Sequence, residues 1–273
     1  MDVNEVLDDL VAEQQALDTI IADLSEDQWA LATPSPRWTV TDQIGHLTFF
    51  DTTAALAIND ANAFAEHSVE LTSHFADELA VDEFTLGGFR QLSPSDQLAG
   101  WRAHRDQLEA AGRTLANDTR VEWYGPSMGS KSFLTARLME VWAHGQDICD
   151  TVGVTRQSSD RIRHIVQLGV ITRGWSYIVR GEQAPDGDVR VMLTAPSGDV
   201  WTWGPDDAVA NVTGSAQDFC LVVTQRRHVD DTNLTVTGEI ARDWMTKAQA
   251  FAGGATEGPA ARSHLLIQAQ GDN

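Results

Sequence analysis

Residues 137–149 read Arg-Leu-Met-Glu-Val-Trp-Ala-His-Gly-Gln-Asp-Ile-Cys, a strongly apolar helical stretch with Glu140 and His144 four residues apart. Positions i and i+4 lie one turn above each other on one helical face, so a carboxylate oxygen and an imidazole nitrogen can converge on one point. Met139, Val141, Trp142, Ala143 and Ile148 surround the pair, and burying a carboxylate among such groups is costly unless it is paired or bound to a cation. A third ligand must come from elsewhere. The best candidate lies in residues 38–50, Trp-Thr-Val-Thr-Asp-Gln-Ile-Gly-His-Leu-Thr-Phe-Phe, where His46 stands in another apolar helix. The hypothesis is a divalent metal held by His46, Glu140 and His144. Its rival is a structural bundle in which His46 and Glu140 only share a hydrogen bond.

Working outward, residues 3–25 repeat apolar positions at helical spacing and predict a first amphipathic helix. Pro34 and Pro36 break the chain before the next one. Thr39 and Asp42 resemble a capping box that opens a helix to about Asn62. Asp42 is read as that cap or as a partner orienting His46. Residues 63–92 are less regular, and His67 and His74 are read as surface residues. Ser93-Pro94 opens a third helix to about Leu115, on which His104 is read as solvated. The run of residues 125–132, Gly-Pro-Ser-Met-Gly-Ser-Lys-Ser, fails the Walker spacing and reads as a loop with a Ser or Thr cap. The helix after it, about 131–151, carries the Glu140/His144 pair, and one more helix is expected over 158–179.

After Gly181 the texture changes. Residues 189–195 and 200–204 read as a hairpin, 209–214 and 234–238 as strands, and 215–225 and 239–251 as helices. The fold class is therefore α+β. The domains expected are 1–182, a helical bundle, 183–253, a small α/β domain, and 254–273, a mobile tail.

Nineteen Lys and Arg stand against forty Asp and Glu, a formal net charge of −21, so phosphate backbones and anionic lipid surfaces are repelled. No nucleic-acid partner is expected. No run approaches the ~18 uninterrupted apolar residues of a membrane span, and no membrane partner is expected either. The acidic N-terminus lacks a basic and an apolar leader segment, making the cytoplasm the default location. Cys149 and Cys220 form no disulfide framework and read as reduced, buried thiols.

The histidine-bearing segment 38–51 and the Glu-x3-His segment 137–150, in this order and with flanking Trp38 and Trp142, resemble the two metal motifs of the mycothiol-dependent maleylpyruvate isomerase N-terminal domain family. That family is a branch of the DinB-like up-and-down four-helix bundles, and the resemblance spans about residues 5–180. It implies three protein ligands, His46, Glu140 and His144, to a divalent metal, commonly zinc, with open positions for water or a thiol. It also implies a sterol-carrier-like C-terminal domain, and mycothiol as a low-molecular-weight thiol partner that adds to a small-molecule electrophile and then departs or stays attached. The activity implied is an isomerase or S-transferase. Two histidines and one carboxylate also suit the open, three-ligand site of catalytic zinc. Asp147, one turn beyond His144, is read as a catalytic assistant that orients it or aids proton transfer, or as an exposed or capping acid. Arg137, Arg226 and Arg227 are possible partners for an anionic substrate or solvated charges. A non-catalytic metal-containing protein that binds a small apolar ligand is the alternative function, and the oligomeric state stays open between monomer and homodimer.

Overall fold

The structure, a computed structural model, describes residues 2–261. Its contacts divide the chain into two compact units, Met1–Val154 and Thr155–Asn273. The division falls before the expected 182/183 boundary. The reason lies in α-helical packing within the second unit, described below.

The first unit begins with α1 (Val3–Ile21), opened by a capping box between Asp2 and Glu5. Val6, Leu7, Leu10, Leu17 and Ile21 form its buried stripe. A single turn, α2 (Glu26–Trp29), leads to α3 (Val40–Asn59), whose capping box pairs Thr39 with Asp42 as the sequence predicts. Residues 63–92 are more regular than expected. They form most of α4 (Ala61–Thr72) and α5 (Glu78–Leu86), each opened by an aspartate cap, Asp60 and Asp77. Then come α6 (Pro94–Gly112), with Pro94 in its first turn, and a ribbon of β1 (Arg120–Val121) and β2 (Met128–Gly129). The last helix of the unit, α7 (Ser130–Val152), ends at Gly153 in the left-handed conformation, φ 70°, where a Cβ would be strained. Its N-cap is Gly129, and the Ser130 hydroxyl donates to the Ala116 carbonyl at 2.9 Å instead of capping. Helices α1 and α3 each pack against both α6 and α7, which closes a four-helix bundle.

The second unit starts with α8 (Arg163–Ile171) and α9 (Arg173–Ile178) after a 3-10 turn at Asp160–Ile162. The helix expected over 158–179 is thus broken at Thr172, whose hydroxyl donates back to the Leu168 carbonyl at 2.8 Å. The backbone of Thr172 itself leaves helical geometry, at φ −89° and ψ 9°. The sheet runs β4-β3-β5-β6, with β3 (Val189–Thr194), β4 (Val200–Trp203), β5 (Ala210–Ser215) and β6 (Thr235–Thr237). β3 pairs antiparallel with β4 in the expected hairpin and parallel with β5, while β5 and β6 are antiparallel. Two further helices are α10 (Ala216–Val223) and α11 (Glu239–Lys247).

Gly169 of α8 lies so close to α10 that a Cβ there would meet Val223 Cγ2 at 2.9 Å and Phe219 Cε1 at 3.0 Å. This contact draws α8 into the second unit and moves the boundary upstream. Closing helix α11 stops at Lys247, short of the expected 251, because the Ala250 N–H donates to the Val223 carbonyl at 2.8 Å. The tail expected from 254 is fastened at its start. Thr256 accepts at its carbonyl from Gln225 Nε2 at 3.1 Å, and its N–H donates to Gln249 Oε1 at 3.3 Å. The remainder of that tail, from 262, lies outside the described residues. Among the described residues no helix is long and apolar enough to cross a membrane.

Candidate metal centre

Helices α3 and α7 pack against each other and bring His46 and Glu140 together across 94 positions of sequence. Glu140 Oε2 lies 3.2 Å from His46 Nε2 and 3.1 Å from His144 Nε2. One ligand atom from each of these three residues falls within 4.8 Å of the others, a group able to hold a metal ion. The side chains are 15%, 22% and 10% exposed for His46, Glu140 and His144, so the cluster is sheltered without being sealed. Burial opposes the charged form of Glu140, but hydrogen bonds and charge from His144 and His46 outweigh it and hold the carboxyl well below its usual range. The outcome is an anion with two imidazole nitrogens aimed at a single oxygen.

The donor set fits a divalent cation on its own chemistry. Two borderline nitrogen donors and one carboxylate are the ligand types of zinc sites. His144 Nδ1 lies 2.5 Å from Gln43 Oε1, the outer hydrogen bond that commonly orients a ligating imidazole.

Aromatic rings frame the cluster. Trp38 stacks on His144 with centroids 5.9 Å apart and lies 5.0 Å from His46, and Phe50 flanks His46 at 4.7 Å. Beyond Phe50 the rings continue through Tyr124 and Phe49 to His67. His67 is therefore not the surface residue expected. Its Nε2 pairs with the Tyr124 hydroxyl at 3.0 Å, and burial pushes its pKa down. Burial likewise pushes the Tyr124 phenol up to about 12, so this wall is uncharged near neutral pH. His74 also departs from expectation by stacking on Phe84 at 4.9 Å. His104 is half-buried with Nδ1 enclosed, not solvated.

Asp42 acts as the cap. Its Oδ2 accepts from the Thr39 N–H at 2.9 Å, and its Oδ1 from Arg90 Nε at 2.7 Å. Its neighbour Gln43 contacts His144 instead, a residue missed because an amide inside an apolar helix carries no spacing signal. Asp147 is 4% exposed, not an exposed acid, and accepts from the Ser35 hydroxyl at 3.1 Å. Arg137 is neither solvated nor available to a substrate. It is 4% exposed and bound to the fully buried Asp51, with Nη2–Oδ1 at 2.9 Å. In the second unit, Arg226 Nη1 donates to the Thr224 carbonyl and Arg227 Nη1 to the Arg226 carbonyl, both at 2.7 Å. Cys149 and Cys220 are buried, as expected, and burial raises the Cys220 thiol well above its ordinary value.

Fold and site together define a helical bundle that presents a two-histidine, one-carboxylate donor set on facing helices, followed by a small mixed-sheet unit. The family model described as "Mycothiol maleylpyruvate isomerase N-terminal domain" matches residues 10–149, and the chain belongs to that family. A second model, "Wyosine base formation", matches residues 185–237. Two relatives, uncharacterised proteins from two strains of Mycobacterium tuberculosis, are each 42% identical over 248 residues, covering 90% of this chain and 94% of theirs. Two crystal structures of the mycothiol-dependent maleylpyruvate isomerase, one of them a mutant, superpose with a TM-score of 0.60 at 15% identity. The superposition covers 95% of this chain and 97% of that one, which establishes a shared α+β fold.

Proposed function

We propose that the chain is a cytoplasmic metal- and mycothiol-dependent enzyme, an isomerase or S-transferase acting on a small electrophilic metabolite. The observation that carries this reading is the convergence of His46 Nε2, His144 Nε2 and Glu140 Oε2, in a chain belonging to the mycothiol isomerase family. These three residues would hold the divalent cation, with zinc favoured by the donor types. When bound, that cation supplies positive charge that favours a thiolate over a thiol at neutral pH.

The chain's own groups do the rest. Trp38 and Phe50 flank the histidine rings and shield one side of the cluster from water. Uncharged rings beyond them favour an apolar or conjugated substrate over a dianion. Arg137, the cation on α7, is held by Asp51 and cannot meet a substrate carboxylate. Asp147 is proposed as a catalytic assistant through the Ser35 contact. In the reaction, the thiolate sulfur adds to an electrophilic carbon, and the substrate's π pair takes up a proton or, after isomerisation, expels the thiolate again. The first outcome is S-transfer and the second isomerisation.

Metal analysis of untagged protein tests the site, with about one zinc per chain expected. His144→Ala should lose the metal, and a His46→Ala/Glu140→Ala/His144→Ala protein that still binds it would refute the ligand set. Turnover of a panel of electrophiles should require both zinc and mycothiol. Stoichiometric metal with a co-purified apolar ligand and no thiol dependence would replace the enzyme reading by that of a binding protein.

A further inference from the structure

We infer that the loop of residues 33–38, acting through Thr33 and Gln43, holds His144 as its Nδ1–H tautomer and thereby makes Nε2 the cation-facing atom. The inference rests on the metal site proposed above and assigns Gln43 and Thr33 as positioning residues.

Proton accounting carries the argument. The Trp38 carbonyl can only accept, and it receives the Thr33 N–H at 2.8 Å and the Thr33 hydroxyl at 3.0 Å. A hydroxyl has one proton, so Thr33 Oγ1, having given it to Trp38, must accept from Gln43. The amide group 2.8 Å from Thr33 is accordingly the Gln43 NH2. That choice turns the other end of the amide, Oε1, toward His144 Nδ1 at 2.5 Å. An amide oxygen only accepts, which puts the proton on Nδ1. In the neutral ring the lone pair then sits on Nε2, 3.1 Å from Glu140 Oε2. A lone pair facing a carboxylate is repulsive unless a second ring proton or a metal cation lies between them, and a second imidazole nitrogen, His46 Nε2, faces the same oxygen.

Two further observations make the relay a fixed device. Gln43 is fully buried, at 0% exposure, so water does not compete for its amide. The Trp38 ring, from the same loop, stacks on the His144 ring with an interplanar angle of 27°. One short loop therefore sets both the plane of the ligand and the place of its proton. The loop is itself anchored by Trp38 Nε1 donating to Asp82 Oδ1 at 3.2 Å and by the Ser35–Asp147 bond. A carboxylate in place of the amide would raise the ligand's basicity.

The test uses full-length, 15N-labelled, metal-free protein at about pH 8.5, above the ordinary imidazole range. Long-range 1H–15N correlation should show His144 protonated on Nδ1 and bare on Nε2. Gln43→Leu should release that bias, with Nε2–H becoming the major form against Glu140, and weaken zinc binding about 10- to 100-fold in chelator competition. Gln43→Glu should keep the Nδ1–H form and bind zinc at least as tightly as the parent. A purely packing role would suffer from both substitutions. Thr33→Val, which frees the amide to turn over, should show a smaller loss of both tautomer bias and affinity. The inference is overturned by an Nε2–H tautomer in the parent protein, or by zinc affinity in Gln43→Leu equal to the parent's. Parent protein with the Nδ1–H form but no zinc binding would uphold the relay and overturn the metal reading.

Discussion

The two units bury different things. In the first, Glu13, Asp18, Asp42, Asp51, Asp82 and Asp147 all lie in the interior, whereas the second buries no Asp or Glu among its described residues. Its core is built mainly from apolar side chains such as Val191, Leu193, Val212, Phe219, Val223 and Trp244, beside the buried polar Arg156, His164, Ser176, Thr224 and Gln249. A buried carboxylate is tolerated only with matched partners, and in the bundle the five aspartates have specific ones. Asp18 meets Arg102 and Arg105, Asp51 meets Arg137, and Asp82 meets Arg37 and Trp38. Buried ion pairs of this kind contribute little net stability over an apolar core. They restrict which arrangement of helices is satisfied, and the convergence of His46, Glu140 and His144 on one point needs that restriction. The second unit holds its shape by close apolar fit, as the Gly169 contact on α10 shows.

Breaking this contrast should have its largest effect at Asp51. Asp51→Ala leaves Arg137 buried without its partner and should cost about 3 to 5 kcal/mol in urea unfolding. A loss below about 0.5 kcal/mol, typical of surface changes, would mean that the bundle's buried charges do not specify its packing. A smaller effect is expected in the second unit from Gly169→Ala. The added methyl must push against Val223 and Phe219 at a cost of about 1 to 3 kcal/mol, and about 1 kcal/mol of helix propensity offsets it. The net loss should be about 1 kcal/mol by these principles, with faster amide exchange confined to α8 and α10. No change in those helices would remove close fit as the organising device there.

The smallest effect concerns pH. Hydrogen bonding from Arg102 overcomes desolvation and holds the Asp18 carboxyl below its ordinary 3.8. A depressed carboxyl stabilises the fold above its unfolded value, and that contribution disappears as pH falls through the folded one. Asp18→Asn should therefore flatten the bundle's loss of stability below pH 3.8. An unchanged acid limb in thermal melts would show that this pair does not discriminate folded from unfolded chain.

Much of the fold was legible where one residue carries the signal. The Thr39/Asp42 box, Pro94 in the first turn of α6 and the period-two alternation of β3 and β4 all act over a few residues. The aspartate caps of α4 and α5 were just as local, but the acidic, weakly periodic sequence around them masked two short helices. Glu140 and His144 were legible as a pair because one turn of helix separates them. Illegible residues were those whose partners are remote. Gln43 reaches His144 across 101 positions, Ser35 reaches Asp147 across 112, and Arg137 reaches Asp51 across 86. Each has the composition of a surface group and becomes wholly or partly buried only when the chain closes on it.

By itself, then, the sequence determined the long helices of the bundle, the hairpin and the alignment of Glu140 over His144, since these follow from backbone geometry within one or two turns. The tertiary structure alone decided that His46 faces the same carboxylate oxygen, that Arg137 belongs to Asp51, and that an amide on α3 meets His144 Nδ1. Those outcomes depend on which side chains meet when α3 packs on α7, and hydrogen-bond donors and acceptors are matched only at that meeting.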